Sequence, residues 1–207
     1  MTSILPIEIA LPENLENMHL PAPELVNYWR LAENRIFYID YEIDESVLEI
    51  QRSIININAV DKGMDVKDRK KIIIMINSPG GLLNETMSLA TSIIMSKTPV
   101  VTVNIGEAYS GGFLLLLAGH TRYAFKYAKV MCHTGSGGMQ GTFEQTEAAQ
   151  QMYKKQIDSM GNYILSRTKI DDKVFKRNKS KDWYMDNEEC ITYGIIEKEL
   201  DSLDEIV

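Results

Sequence analysis

The sequence predicts an α/β chain in which strands and helices alternate as βαβ units. Three observations lead there. Ile72 to Ile76 is an unbroken apolar run closed by Asn77-Ser78-Pro79-Gly80-Gly81, the pattern of a strand buried on both faces that stops at a tight turn. A helical stretch through Met87, Ala90, Ile94 and Met95 follows and is closed by Thr98-Pro99. Val100 to Ile105 then makes a second buried strand that runs into Gly106.

Residues 1–28 hold Pro6, Pro12, Pro21 and Pro23, which remove backbone donors and restrict their predecessors, so this stretch is expected to be an arm or loop. Arg35 to Ile39 reads as a short strand. Asp44-Glu45-Ser46 can cap a helix carrying Val47, Leu48, Ile54 and Ile55, which ends before the charged loop around Gly63. Phe113 to Ala118 reads as a short buried helix and Tyr123 to Cys132 as one strand with mixed faces. Gly135, Gly137, Gly138 and Gly141 crowd one segment, and Phe143 to Arg167 gives a long helix with an apolar stripe at Ala149, Tyr153, Ile157, Met160 and Ile164. The expected organisation is one domain over residues 29–200, with the arm before it and a tail at 201–207.

A chain of 207 residues with 44% hydrophobic and 25% charged residues has the composition of a soluble globular protein. Its net charge of -7 argues against a partner bound by neutralising phosphates, so no nucleic acid is expected. The run Phe113 to Ala118 is far shorter than the roughly 20 residues of a membrane span, so no membrane is expected either. Glu8, Glu13 and Glu16 precede the first basic residue, Arg30, which fits neither a secretory signal nor an organellar transit peptide. Cys132 and Cys190 fit reduced thiols, and no CxxC spacing suggests a metal. The expected compartment is the cytoplasm.

In Ala108-Tyr109-Ser110-Gly111-Gly112 a serine stands between a strand and an apolar helix. Small neighbours let the backbone turn sharply there, and amides at the helix start point toward developing negative charge. The same motif also fits a serine N-cap beside packing glycines. A serine hydroxyl needs a base. Of the three histidines, His19 lies in the proline-rich arm, His120 follows the Phe113 helix, and His133 closes a strand and opens the glycine segment, where catalytic groups are commonly presented. His133 is therefore preferred. No Asp or Glu occurs from Ser110 to His133, which argues against the α/β-hydrolase order of serine, acid, histidine and puts the acid before the serine or after the histidine. Downstream, Asp158, Asp171, Asp172, Asp182 and Asp186 all remain open. The Gly80-Gly81 turn could be an ordinary β-turn; paired with the Gly111 amide it would make an oxyanion hole, supplying on the order of 10²–10³ in rate per donor.

Five ordered segments together resemble the Clp protease proteolytic subunit family. They are Arg35-Ile36-Phe37-Tyr38-Ile39 with Ile43-Asp44-Glu45-Ser46-Val47; Ile76-Asn77-Ser78-Pro79-Gly80-Gly81; Gly106-Glu107-Ala108-Tyr109-Ser110; Met131-Cys132-His133 leading to Gly137-Gly138-Met139-Gln140-Gly141; and Asp182-Trp183-Tyr184-Met185 with Glu189 and Tyr193-Gly194-Ile195-Ile196 as a closing strand. The resemblance implies the ClpP/crotonase-like α/β fold of stacked βαβ units with a protruding strand-helix handle, here about residues 134–168. It makes Ser110 the nucleophile, His133 the base and Asp182 the orienting acid, and it assigns the oxyanion hole to the amides of Gly81 and Gly111. Ser136, Gly137, Gly138, Met139, Gln140 and Gly141 would pair with a substrate strand through their main chain.

The resemblance further implies a homo-oligomer of two stacked heptameric rings. Unfolded polypeptide substrates would be fed to it by a separate Clp AAA+ ATPase unfoldase. ATP would be used by that partner alone, since no GxxxxGK[ST] loop occurs, and the chain itself would need no metal or organic cofactor. Ile73, Met75 and Met95 would line the partner-docking pocket. The sequence departs from the family pattern at Gly111, Tyr109 and Gly135, where methionine, a small residue and proline are usual. Two other readings share the architecture: a phage-type head-maturation peptidase and a crotonase-like acyl-CoA enzyme.

Overall fold

The computed structural model describes residues 22–206. The first 21 residues, His19 among them, and Val207 lie outside the described residues.

The first element among the described residues is helix α1, Pro23–Glu33, so residues 23–28 are helical rather than part of a loop. Pro23 occupies the first turn, where its missing N–H is no loss and its fixed φ suits the helix. Strand β1 (Ile36–Ile39) and helix α2 (Val47–Val60) follow. Strand β2 is Ile72–Ser78, helix α3 Leu83–Met95 and strand β3 Val100–Tyr109, confirming the βαβ alternation. Helix α4 is Gly111–Ala118, with every residue buried. The stretch from Tyr123 to Cys132 is two strands rather than one: β4 (Thr121–Ala124) and β5 (Lys129–Cys132), separated by a turn closed by the Ala128 N–H donating to the Phe125 carbonyl. Then come α5 (Phe143–Arg167), α6 (Asp172–Asn178), β6 (Trp183–Met185), α7 (Asn187–Thr192) and β7 (Lys198–Glu199). The closing strand therefore lies just after Ile195-Ile196, which instead sink into the core.

The sheet runs β1-β2-β3-β4-β7, all parallel. Strand β3 pairs with β4 through Val101–Asn104 and with β5 through Glu107–Tyr109, so it changes partners along its length. The change coincides with a register shift against β2 between Ile76 and Ser78. Asn104 holds the bend, its side-chain amide donating to the Lys129 carbonyl and its oxygen accepting from the Gly106 amide. A β-carbon on Gly106 would stand 2.3 Å from Asn77 Oδ1, so the Asn77 side chain packs directly against this glycine. Beyond the bend, β6 adds antiparallel to β5.

The two faces of the sheet are buried differently. Ile72, Ile74 and Ile76 join Leu89, Ile93, Phe113 and Leu115 in the main core beneath α2, α3 and α4. Each such side chain contributes about 1.5–3 kcal/mol on burial. Ile73, Met75, Val101 and Val103 point the other way and are covered by Leu200 and Ile206 of the C-terminal segment. In α2 the buried positions are Val47, Ile50, Ile54 and Ile57, while Ile55 faces out. Only Met160 and Ile164 of the long α5 stripe are buried, so its first turns stand clear of the core. Arg167 fastens the other end by donating to the carbonyls of Leu117, Ala118 and Gly119, which end α4.

Candidate active site

The end of β3 turns straight into α4 through Ser110. Its φ of 51° is a left-handed value held by a non-glycine residue, a conformation that costs about 1–3 kcal/mol and persists only where surroundings enforce it. Here the Ser110 amide donates to the Met131 carbonyl at 2.9 Å, and the Ser110 carbonyl accepts from Leu114 in the first turn of α4. The turn presents Ser110 to the cleft described below.

Strand β5 delivers the candidate base. His133 follows Cys132, and its Nε2 lies 2.8 Å from Ser110 Oγ. Nδ1 faces Asp182 Oδ1 at 3.4 Å, an ionic approach slightly longer than a hydrogen bond. A proton on Nδ1, toward the carboxylate, leaves Nε2 free to accept from the serine. The other four candidate aspartates are engaged elsewhere or face solvent: Asp171 caps α6, Asp186 caps α7, Asp172 pairs with Lys176, and Asp158 is exposed on α5. His120 has a structural role, its Nδ1 accepting from the Val100 amide. Cys132 offers no rival nucleophile, because burial pushes its thiol up to about 12.

Gly80 and Gly81 take φ values of 100° and 151° in the turn after β2. The turn is pinned by the Ile43 amide donating to the Gly80 carbonyl and the Leu82 amide donating to the Ile43 carbonyl. It abuts the start of α4 so closely that a β-carbon on Gly111 would stand 3.5 Å from the Gly81 nitrogen. Among the described residues neither the Gly81 nor the Gly111 amide has a protein acceptor. Gly111 is the first residue of its helix, where the amide is free by geometry and carries the positive end of the helix dipole.

These groups open into a cleft of about 430 Å³. Its walls include Leu82, Phe113, Leu114, Met131, Tyr153, Met160 and Ile164. Sequence reasoning did not assign this apolar wall; the helical stripe of Tyr153, Met160 and Ile164 was the available signal. Ser136 reaches the cleft, while Gly137, Gly138, Met139, Gln140 and Gly141 continue as an exposed segment outside any strand. The three residues expected to line one docking pocket do not converge within the chain. Ile73 and Met75 are buried together under the C-terminal segment, whereas Met95 is 73% exposed in a separate groove with Ile54 and Lys97.

A hydroxyl bonded to an imidazole that itself faces a carboxylate loses its proton as it attacks a carbonyl, and free amides nearby receive the oxygen charge that results. On a parallel α/β sheet this places the chain among the serine hydrolases. The family model for Clp protease matches residues 24–202, and the chain belongs to that family. It is a serine-type peptidase with the fold of the Clp proteolytic subunits. Among the described residues no helix is long and apolar enough to cross a membrane, and no three His, Cys, Asp or Glu side chains are grouped as a metal site.

Proposed function

We propose that the chain is an endopeptidase subunit that hydrolyses unfolded polypeptides inside a ring-shaped chamber, with Ser110, His133 and Asp182 as its triad. The 2.8 Å contact between His133 Nε2 and Ser110 Oγ is the observation that carries this reading. Ser110 attacks the peptide carbonyl while His133 takes its proton, and the oxyanion is received by the Gly81 and Gly111 amides. His133 then protonates the leaving amine. Water, deprotonated by the same imidazole, releases the acyl-enzyme.

The main chain from Ser136 to Gly141 lies outside any strand, unpaired among the described residues, and is suited to pair with an extended substrate and so to accept many sequences. The exposed apolar residues Phe143 and Met152 on the first half of α5 support a handle covered by another subunit, as two stacked heptameric homo-oligomeric rings would require. Residues 134–168 form that handle within a peptidase domain ending near residue 200. A separate Clp AAA+ unfoldase, which alone uses ATP, would feed the chamber, with the cytoplasm as the working compartment. A crotonase-like reading would leave the Ser110–His133 contact without a use.

The test is hydrolysis of a short fluorogenic peptide by the wild type and by Ser110→Ala, with native mass measured in parallel. The reading expects loss of cleavage with the assembly retained; equal hydrolysis by the variant removes Ser110 as nucleophile.

A further inference from the structure

Tyr109, Met131 and Tyr184 stand in one row across three strands. Tyr109 on β3 is the register partner of Met131 on β5, and Met131 is the register partner of Tyr184 on β6. Two strand spacings, about 9.6 Å of sheet, separate the tyrosine backbones. Their ring centroids are nevertheless 5.6 Å apart, with planes at 87°. The two rings therefore lean toward each other across the intervening strand and meet edge to face, with Met131 buried between their backbones.

This row is adjacent to the catalytic groups. Ser110 follows Tyr109 directly, and its amide is held by the Met131 carbonyl. Along β5 and β6 the register runs Met131 to Tyr184 and Cys132 to Trp183, so its next step sets His133 opposite Asp182, on the same face as the row. Asp182 has little else to hold it. Its side chain is 61% exposed, and among the described residues no hydrogen bond fixes its carboxylate. It precedes a strand of only three residues that joins the sheet through β5 alone.

We propose that the Tyr109–Tyr184 pair is a clasp that fastens β6 to the nucleophile strand and thereby keeps Asp182 at His133. Both tyrosines are positioning residues: neither is among the residues lining the cleft, and they act through the carboxylate. The inference rests on the peptidase reading of the same site.

The test is a double-mutant cycle on the full assembled chain, reading kcat and KM for a fluorogenic peptide. Tyr109→Ala is expected to lower kcat about fivefold with KM unchanged, the scale of one edge-to-face pair. Tyr109→Phe, which keeps the ring edge, restores wild-type kcat. In the Asp182→Asn background Tyr109→Ala costs no more than about twofold, because the carboxylate it positions is gone. Tyr184→Ala, changed at a more exposed side chain, repeats the cycle should Tyr109→Ala not assemble. Equal losses in both backgrounds, or no loss from either alanine variant, overturn the clasp while leaving the peptidase reading intact. A wild type without Ser110-dependent hydrolysis overturns both.

Discussion

Gly80 lies so close to Ser110 that a β-carbon on it would stand 2.7 Å from the serine Cβ and 2.8 Å from the Gly111 nitrogen. Two segments thirty positions apart in sequence thus meet without room for a methyl group. Gly81 is equally confined, its missing β-carbon falling 2.1 Å from the Ile43 carbonyl oxygen. Gly81→Ala is therefore expected to displace an oxyanion donor and lower kcat by about 10²–10³. Gly63→Ala, with nothing within 4 Å of its added methyl, serves as the control and should leave kinetics unchanged. Peptide hydrolysis by the purified assemblies checks both.

In the proposed triad Asp182 would stabilise and orient the imidazole rather than react itself, so Asp182→Asn should preserve substrate binding and reduce kcat. The expected loss is about 10³–10⁴ at unchanged KM. A loss of twofold or less, measured under saturating peptide, would assign the 3.4 Å approach to mere surface electrostatics.

Arg35 and Asp61 form a buried pair far from the cleft. The guanidinium donates to both carboxylate oxygens at 2.6 and 2.8 Å and to the Lys70 carbonyl, while Thr98 donates its hydroxyl to Asp61 as well. Removing one partner strands a buried charge, so Arg35→Ala should cost about 3–5 kcal/mol in urea unfolding at fixed subunit concentration. The Arg35 hydrogen bonds hold the Asp61 carboxyl below its usual range. Its contribution is thus present above the unfolded value of 3.8 and is lost as pH falls through the lower folded value.

The C-terminal segment carries a second acid-sensitive fastening. Glu205 pairs with Lys198 and accepts from the Asp201 and Ser202 amides, which push its carboxyl down to about 2. The docked tail is therefore fully stabilised above about 4.5 and loosens as pH falls toward 2. Glu205→Gln should raise amide hydrogen exchange at Leu200 and Ile206, which cover Ile73 and Met75, at neutral pH. Unchanged protection at both amides contradicts this fastening.

What the sequence disclosed follows from local physics. Strand β2 was legible because both its faces are apolar, and α4 because its residues are apolar all round. The break between β4 and β5 was not, since Phe125-Lys126-Tyr127-Ala128 contains no glycine, proline or asparagine to mark a turn. Pro23 misled because a proline that ends one helix can begin another. At the site, Ser110 and His133 could be singled out from their settings at the ends of strands. Their contact depends on β3 exchanging β4 for β5, which no local pattern encodes. The choice of Asp182 over four other aspartates came from resemblance, and the geometry that supports it is a tertiary register of β5 against β6.

The most direct measurement of the central claim is covalent labelling by a fluorophosphonate, mapped by peptide mass spectrometry in the wild type and in His133→Ala. The account predicts one adduct, on Ser110, formed by the wild type and slowed by about 10³ or more without the imidazole. Labelling elsewhere, or at Ser110 with equal rate in both proteins, contradicts it.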